Sequence, residues 1–335
     1  MTLLGIDWGR SRIGTALSDR LWQMSAPFKT FVSGFDTVRK IADTIRENAV
    51  ERVVMGIPLS LRDRDVRSDW EGFAFYEALR KAVPIPFSWV DETMTTSQSH
   101  TILALSDLRY KKRREVVDKM AASLIVDSFI ERNTCMKKTV IVITGRIGTG
   151  KTTVAQYLET TFGAFRIDTD AISRMVTQKG SDGSQCIQDV FGNEYFHNGE
   201  LDRKKFGAYV FSHPSALQRL NDLLHPMILR EMQDRLHGSR TFLNVIEVPL
   251  FFEKKLYYLS DYSLLTMAKN DVILSRATER DAVSSTYIAD IVKNQVNPDE
   301  VAFLCDVVVD TSNGWETNQE KLSAFVKEIY THYER

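Results

Sequence analysis

Three stretches near the start of the chain, Leu3–Trp8, Arg12–Ser18 and Phe28–Val32, carry apolar residues in the dense or alternating order of β-strands, and the segments between them are short enough for turns, with Gly9 and Gly14 among the turn positions. Thr37–Asn48 then changes to the spacing of an amphipathic helix. Strand Arg52–Ile57, helix Trp70–Ala82, strand Phe87–Val90 and two helical stretches, Thr96–Leu105 and Glu115–Glu131, follow. Three strands succeeded by alternating helices and strands predict a mixed sheet flanked by helices. A short polar segment, Glu131–Lys138, interrupts this series. After it the fully apolar Thr139–Thr144 opens a second one: a helix over Thr153–Thr161, a strand ending at Arg166-Ile167-Asp168, a buried strand at Phe242–Val248, and a last helix with Leu322, Phe325, Val326 and Ile329 at core spacing. The expectation is an α/β protein of two domains, residues 1–134 and 136–335, with Met136 placed where a free-standing second protein would begin.

A length of 335 residues lets each half bury its own core. No apolar run is long enough for a bilayer span, and Asp7 and Arg10 interrupt the start before a signal-like core forms. Cys135, Cys186 and Cys305 lack metal or redox spacing and suit a reducing compartment, so a cytoplasmic location away from membranes is expected. With Lys+Arg 43 against Asp+Glu 44, the chain lacks the basic excess of a nucleic-acid coat protein. The one basic run, Arg109-Tyr110-Lys111-Lys112-Arg113-Arg114, reads either as a solvated loop or as a contact surface beside a candidate catalytic helix.

Chemistry concentrates first at mid-chain. Gly145–Thr152 reads G-R-I-G-T-G-K-T, the spacing of a P-loop between a strand and a helix. Glycines there let successive backbone amides turn toward a phosphate at the positive end of the helix. Lys151 brings charge to the terminal phosphates, and the Thr152 hydroxyl can ligate Mg²⁺. Asp168 and Asp170 end the next strand, where one acid can take a proton from an attacking hydroxyl; capping of the following helix is the alternative for Asp168. Glu247 could hold Mg²⁺ through water. Arg276 and Arg280, four apart, either close over ATP phosphates or form a solvated helix face.

These residues resemble dephospho-CoA kinase. Thr144–Thr152 matches its T-G-G-I-G-S-G-K-[ST], with Arg146 in place of the second glycine and Thr149 in place of serine. Asp168-Thr169-Asp170 matches D-A-D, Leu223-Leu224-His225-Pro226 matches L-x-H-P, and Pro249–Glu253 matches P-L-L-F-E; Gln295 and Cys305–Thr311 also have counterparts. The resemblance implies phosphorylation of the ribose 3′-hydroxyl of dephospho-CoA by ATP with Mg²⁺, giving coenzyme A. Asp170 would be the base, Lys151 a catalytic cation, and Gly145, Ile147, Gly148, Thr149, Gly150, Lys151, Thr152 and Thr153 the ATP-binding loop with Arg276 and Arg280. Asp168, His225 and Pro226 would line the substrate side. The chain departs from the pattern at Arg146 and at Val296-Asn297-Pro298, where a lid arginine is expected.

In the first half Asp7 ends an apolar strand, Asp91-Glu92 follows another, and Asp118 shares a helix face with Ala122, Ile125 and Phe129. Such acids can converge on two divalent cations and hydrolyse a phosphodiester; the alternative is that Asp7 caps a turn and Asp118 pairs with an arginine or lysine. Leu4–Gly9, Ile13–Ala16, Gly56-Ile57-Pro58-Leu59, Asp91-Glu92, Thr95-Thr96 and Val117–Ala122 resemble the YqgF family of RNase H-fold nucleases, described as Holliday junction resolvases. The two resemblances together imply an RNase H-like mixed sheet with flanking helices ahead of a P-loop NTPase-type parallel sheet with a helical lid. The nuclease resemblance makes Asp7, Glu92 and Asp118 catalytic metal ligands for Mg²⁺ or Mn²⁺. It also implies processing of the 5′ end of precursor 16S rRNA, a structured RNA, with branched DNA as the other substrate. Thr93 stands where the family has arginine after D-E, and Ser60–Asp65 replaces its usual Asn and Gly. A kinase carrying a non-catalytic RNA-binding or assembly module is therefore the competing reading.

Overall fold

The computed structural model describes residues 2–59, 70–92, 110–135, 138–281, 284–312 and 314–333. The first half is built on a five-stranded sheet of order β3-β2-β1-β4-β5, from β1 (Thr2–Trp8), β2 (Arg12–Ser18), β3 (Ser25–Val32), β4 (Val50–Ile57) and β5 (Phe87–Asp91). β1, β2 and β3 pair antiparallel, while β4 and β5 extend the sheet parallel to β1. Helices α1 (Thr37–Glu47), α2 (Gly72–Ala82) and α3 (Tyr110–Cys135) accompany it. The mixed sheet expected from the pattern is therefore present. Gly14 is not in a turn: it lies inside β2, paired with Asp7. A Cβ at Gly14 would overlap the Asp118 carbonyl, and one at Gly5 would overlap the Ala122 carbonyl, so these glycines let α3 lie directly on the sheet. Ala122, Ile125, Val126 and Phe129 are buried along that contact.

The second half is a parallel sheet ordered β12-β11-β6-β10-β7, from β6 (Thr139–Thr144), β7 (Phe165–Asp168), β10 (Leu243–Glu247), β11 (Tyr262–Met267) and β12 (Val307–Asp310). The valine- and isoleucine-rich β6 is buried throughout, as a central strand covered on both faces requires. α4 (Lys151–Phe162) follows the glycine loop, and the chain later forms α9 (Asn270–Asp281), α10 (Ser285–Asn294), α11 (Pro298–Val301) and α12 (Trp315–Tyr333). Leu322, Phe325, Val326 and Ile329 of α12 close the core over the strands.

Two compact units are distinguished among the described residues: residues 2–59, 70–92, 110–135, 138–165 and those after 240 form one, and Arg166–Arg240 form the other. The second unit holds α5 (Thr169–Val176), α6 (Asp182–Phe191), the small hairpin of β8 (Phe196–His197) and β9 (Glu200–Leu201), α7 (Arg203–Ser212) and α8 (Pro214–Gly238). Its core gathers Ile187, Tyr195, Phe206, Val210, Ala216 and Leu224. The expected helix Thr96–Leu105, the Thr95-Thr96 pair, Thr93, Arg109, the segment Ser60–Asp65 and Met136 lie outside the described residues.

Candidate functional sites

β1, β4 and β5 run parallel, so their carboxyl ends share one edge of the sheet, and the acids of the first half stand there. Asp7 is the next-to-last residue of β1; Ile57 pairs with Asp91, and the Glu92 amide donates to the Ile57 carbonyl (3.0 Å). Two glycines make the convergence possible. A Cβ on Gly56 would occupy the space of the Glu92 carboxylate and of Ile125 Cδ1, so glycine lets Glu92 fold back over β4. Gly14, opposite Asp7, lets the helical turn carrying Asp118 approach. Burial and the neighbouring charge of Asp118 raise the Asp7 pKa to about 7, and burial with the charges of Asp7 and Asp91 raises that of Glu92 to about 8. Repelling, half-buried carboxylates of this kind hold their charge more easily beside a cation.

Asp118 is also engaged by Arg12, Nε to Oδ2 at 3.2 Å, so the pairing weighed against the metal reading is present. Among the described residues no three His, Cys, Asp or Glu side chains stand close enough together to hold one metal ion. The donors nevertheless fit the ion in kind: Mg²⁺ and Mn²⁺ prefer hard carboxylate oxygens, and Asp7 feels Asp118 while Glu92 feels Asp7.

The glycine loop follows β6 directly. Gly145, Gly148 and Gly150 have φ of 143°, 73° and 81°, which side chains rarely allow, and a Cβ on Gly145 would strike the Thr266 carbonyl. Lys151 Nζ donates to the carbonyls of Gly145 (2.8 Å) and Arg146 (2.9 Å). Thr152 Oγ1 donates to Glu247 Oε2 (2.8 Å), which brings together a hydroxyl and a buried acid of the kind that hold Mg²⁺ beside a P-loop. Thr149 is buried, its hydroxyl bonded to Arg146 O (2.8 Å) and Thr266 Oγ1 (2.7 Å); Thr153 is exposed.

Two contacts at this loop escaped the sequence reading. Gln295 Oε1 accepts the Ile147 amide (3.0 Å), and Arg146 Nε donates to the Val296 carbonyl (3.1 Å), so the arginine that departs from the glycine pattern ties the loop to the segment after α10. Arg276 is exposed on α9 but anchored, donating to Thr311 Oγ1 (3.0 Å) and O (2.9 Å), and Thr311 in turn donates to Thr149 O (3.0 Å). Arg280, one turn on, is exposed. Nothing in the local spacing near Arg146 or Arg276 announces these links, because their partners lie far along the chain.

The second unit carries the remaining candidates. Asp168 caps α5, its Oδ1 accepting the amides of Asp170 (2.9 Å) and Ala171 (3.1 Å), so the capping alternative is realised. Asp170 is exposed in the first turn. His225 and Pro226 are half-buried midway along α8, against which α5 packs.

Comparison with known proteins finds a match for each half of the chain. The family model for dephospho-CoA kinase matches residues 139–317, and that for Holliday junction resolvase matches residues 1–132. The dephospho-CoA kinase of Aliivibrio fischeri is 34% identical over 175 residues, 52% of this chain and 96% of the relative; that of Shewanella oneidensis is 33% identical over 201 residues, 60% and 94%. The crystal structure of TT1252 from Thermus thermophilus matches with 27% identity and a TM-score of 0.52, over 57% of this chain and 97% of that one. Among the described residues no helix is long and apolar enough to cross a membrane. The chain therefore belongs to the dephospho-CoA kinase family and carries, ahead of the kinase sequence, a domain of the Holliday junction resolvase family.

Proposed function

We propose that the chain is a bifunctional enzyme that transfers the γ-phosphoryl group of ATP to the ribose 3′-hydroxyl of dephospho-CoA and also cleaves nucleic-acid phosphodiesters. The observation that carries the kinase reading is the loop itself: positive-φ glycines, Lys151, and the Thr152–Glu247 pair at its helix. Amides of Gly145, Ile147, Gly148, Thr149, Gly150 and Thr153 would cradle the phosphates, with Lys151 leaving the Gly145 and Arg146 carbonyls for the terminal ones. Thr152 and Glu247 would hold Mg²⁺, which neutralises phosphate charge. Arg276 and Arg280 would face the phosphates from α9. Asp170 would accept the proton of the attacking hydroxyl, with Asp168, His225 and Pro226 on the side of the acceptor. Incubation with ATP and a panel of dephospho-CoA, adenosine and AMP tests this; preference for anything but dephospho-CoA refutes it.

For the first half, Asp7, Glu92 and Asp118 would hold Mg²⁺ or Mn²⁺, which supplies an activated water and stabilises the leaving oxygen. Glu92 is kept in place by Gly56, and Asp118 by Gly14 and Arg12. The substrate proposed is structured RNA such as the 5′ end of precursor 16S rRNA; the match to the resolvase family favours branched DNA as the second reading. A cleavage assay with both, in Mg²⁺ and in Mn²⁺, separates them. The Arg12–Asp118 ion pair favours a different reading, a non-catalytic binding or assembly module. That module reading holds if wild type and Asp7→Asn are equally inert on both substrates while still binding RNA.

A further inference from the structure

The resolvase-like half and the kinase sheet meet through buried charge. Asp261 precedes β11 and Asp306 precedes β12, so both mark the amino-terminal edge of the kinase sheet. Each spends one carboxylate oxygen on its own sheet: Asp261 Oδ2 accepts the Val140 amide (3.0 Å), and Asp306 Oδ2 accepts the Ser263 amide (2.8 Å). The other oxygen of each is taken from the first half. Arg132, near the end of α3, reaches Asp261 Oδ1 at 2.7 Å, and Arg80, near the end of α2, reaches Asp306 Oδ1 at 2.6 Å.

Arg52, at the start of β4, completes the joint. It is 4% exposed, donates to Ser88 Oγ (2.7 Å) and the Asp261 carbonyl (3.2 Å), and lies over the Tyr262 ring at 4.5 Å. An aromatic contact flanks the charges: Tyr257 of the kinase sequence packs on Phe73 and Tyr76 of α2, and its hydroxyl donates to Glu77 (2.8 Å). A carboxylate that joins sheet register to a guanidinium of the other half, buried at Arg80 and part-exposed at Arg132, serves two structures at once. Removing either half would strip the other of its counter-charges. The first half contributes the starts of β4 and β5 to this joint, the ends opposite its acid cluster.

We infer that the amino-terminal edge of the kinase sheet is a docking face for the resolvase-like half of this same chain, and that the two halves unfold as one cooperative unit. The inference stands apart from either proposed activity. Four of the five tryptophans, Trp8, Trp22, Trp70 and Trp89, lie in the first half and only Trp315 lies in the kinase sequence. In full-length Trp315→Phe protein, tryptophan fluorescence therefore reports the first half alone, while circular dichroism reports the whole chain.

Thermal unfolding followed by both signals should give one coincident transition. A non-hydrolysable ATP analogue should raise both midpoints by the same number of degrees, although every remaining tryptophan belongs to the other half. Asp306→Ala, a change in the kinase sequence, should lower the tryptophan midpoint as much as the dichroism midpoint. The double change Arg80→Met with Asp306→Leu should recover part of that loss. Two resolved transitions, or an Asp306→Ala protein whose tryptophan midpoint stays in place, overturn the inference. An analogue that moves neither signal refutes the nucleotide reading instead, and coincidence of the transitions with the Asp306→Ala result still decides this one.

Discussion

Replacing Asp7 by asparagine should stabilise the metal-free protein at alkaline pH while removing its nuclease activity. The Asp7 pKa rises from 3.8 to about 7 through burial and the charge of Asp118. A folded-state pKa above the unfolded one means that the native state binds the extra proton. The favourable contribution is thus complete below about pH 4 and is lost as pH rises toward about 7. Three units at ~1.36 kcal/mol each set an upper limit of about 4 kcal/mol for holding Asp7 charged. Its half-exposure and its coupling to neighbouring acids reduce that to about 1–2 kcal/mol. Asparagine keeps the shape and drops the charge. In chelator at about pH 8 the variant should melt roughly 2–4 °C higher than wild type, and at about pH 4 the two should coincide. Excess Mg²⁺ should stabilise wild type more than the variant, because a cation removes the repulsion that asparagine has already removed. Differential scanning fluorimetry across pH, with and without Mg²⁺, makes the measurement. A variant less stable than wild type at about pH 8, or a gain of equal size at about pH 4, refutes the reasoning.

Further expectations address the other structural elements. Lys151→Ala should lower phosphoryl transfer on the order of 10³-fold, measured as coenzyme A formed, with nucleic-acid cleavage unchanged. Glu247→Gln keeps a partner for Thr152 but loses the charge, and kcat should fall roughly 10–100-fold, with partial recovery at high Mg²⁺. Gly14→Ala forces a Cβ into the Asp118 carbonyl and should cost about 1–3 kcal/mol in urea unfolding, with loss of cleavage, while Ala16→Gly on the same strand should preserve cleavage. Asp168→Ala removes the α5 cap and should cost about 1 kcal/mol of stability.

Local chemistry was legible in the sequence, and the contacts that span the chain were not. The glycine loop could be read because its conformational demand sits within eight consecutive residues. The first sheet could be read because strand periodicity is local, and its observed strands differ from the expected ones mainly at their ends, as β3 does by starting at Ser25; in the second sheet β6, β7 and β10 were expected, while β11 and β12 were not. Gly14 was misplaced into a turn because a glycine demanded by a helix more than a hundred residues away looks the same as one demanded by a bend. Asp168 was seen correctly as a possible cap, since its amide partners are two and three residues on. Arg12 did not stand out at all, and Gln295 and Thr311 stood out only as matches to the kinase pattern; what each touches had no local sign. Their partners Asp118, Ile147 and Arg276 lie between 35 and 148 residues away, and only the fold brings them near.

The placement of the joint bears on why two such activities can share a chain. Both sheets use the amino-terminal edges of their parallel strands to meet, through Arg52 and Ser88 on one side and Asp261 and Asp306 on the other. The proposed centres stand at the carboxyl edges: Asp7 near the end of β1, Glu92 just after β5, and the glycine loop at the end of β6. Five residue steps separate Arg52 from Ile57 and Tyr262 from Met267, about 17 Å each at a strand's rise, so each carboxyl edge lies a strand's length from the joint. Under the proposed activities, a ribose hydroxyl and a nucleic-acid phosphodiester would then be handled at separate edges of the molecule. What the halves share is stability. A substitution at the joint lowers both activities through the fraction folded, whereas a substitution at either carboxyl edge lowers one. That difference in pattern tells a structural role from a catalytic one without any knowledge of substrate.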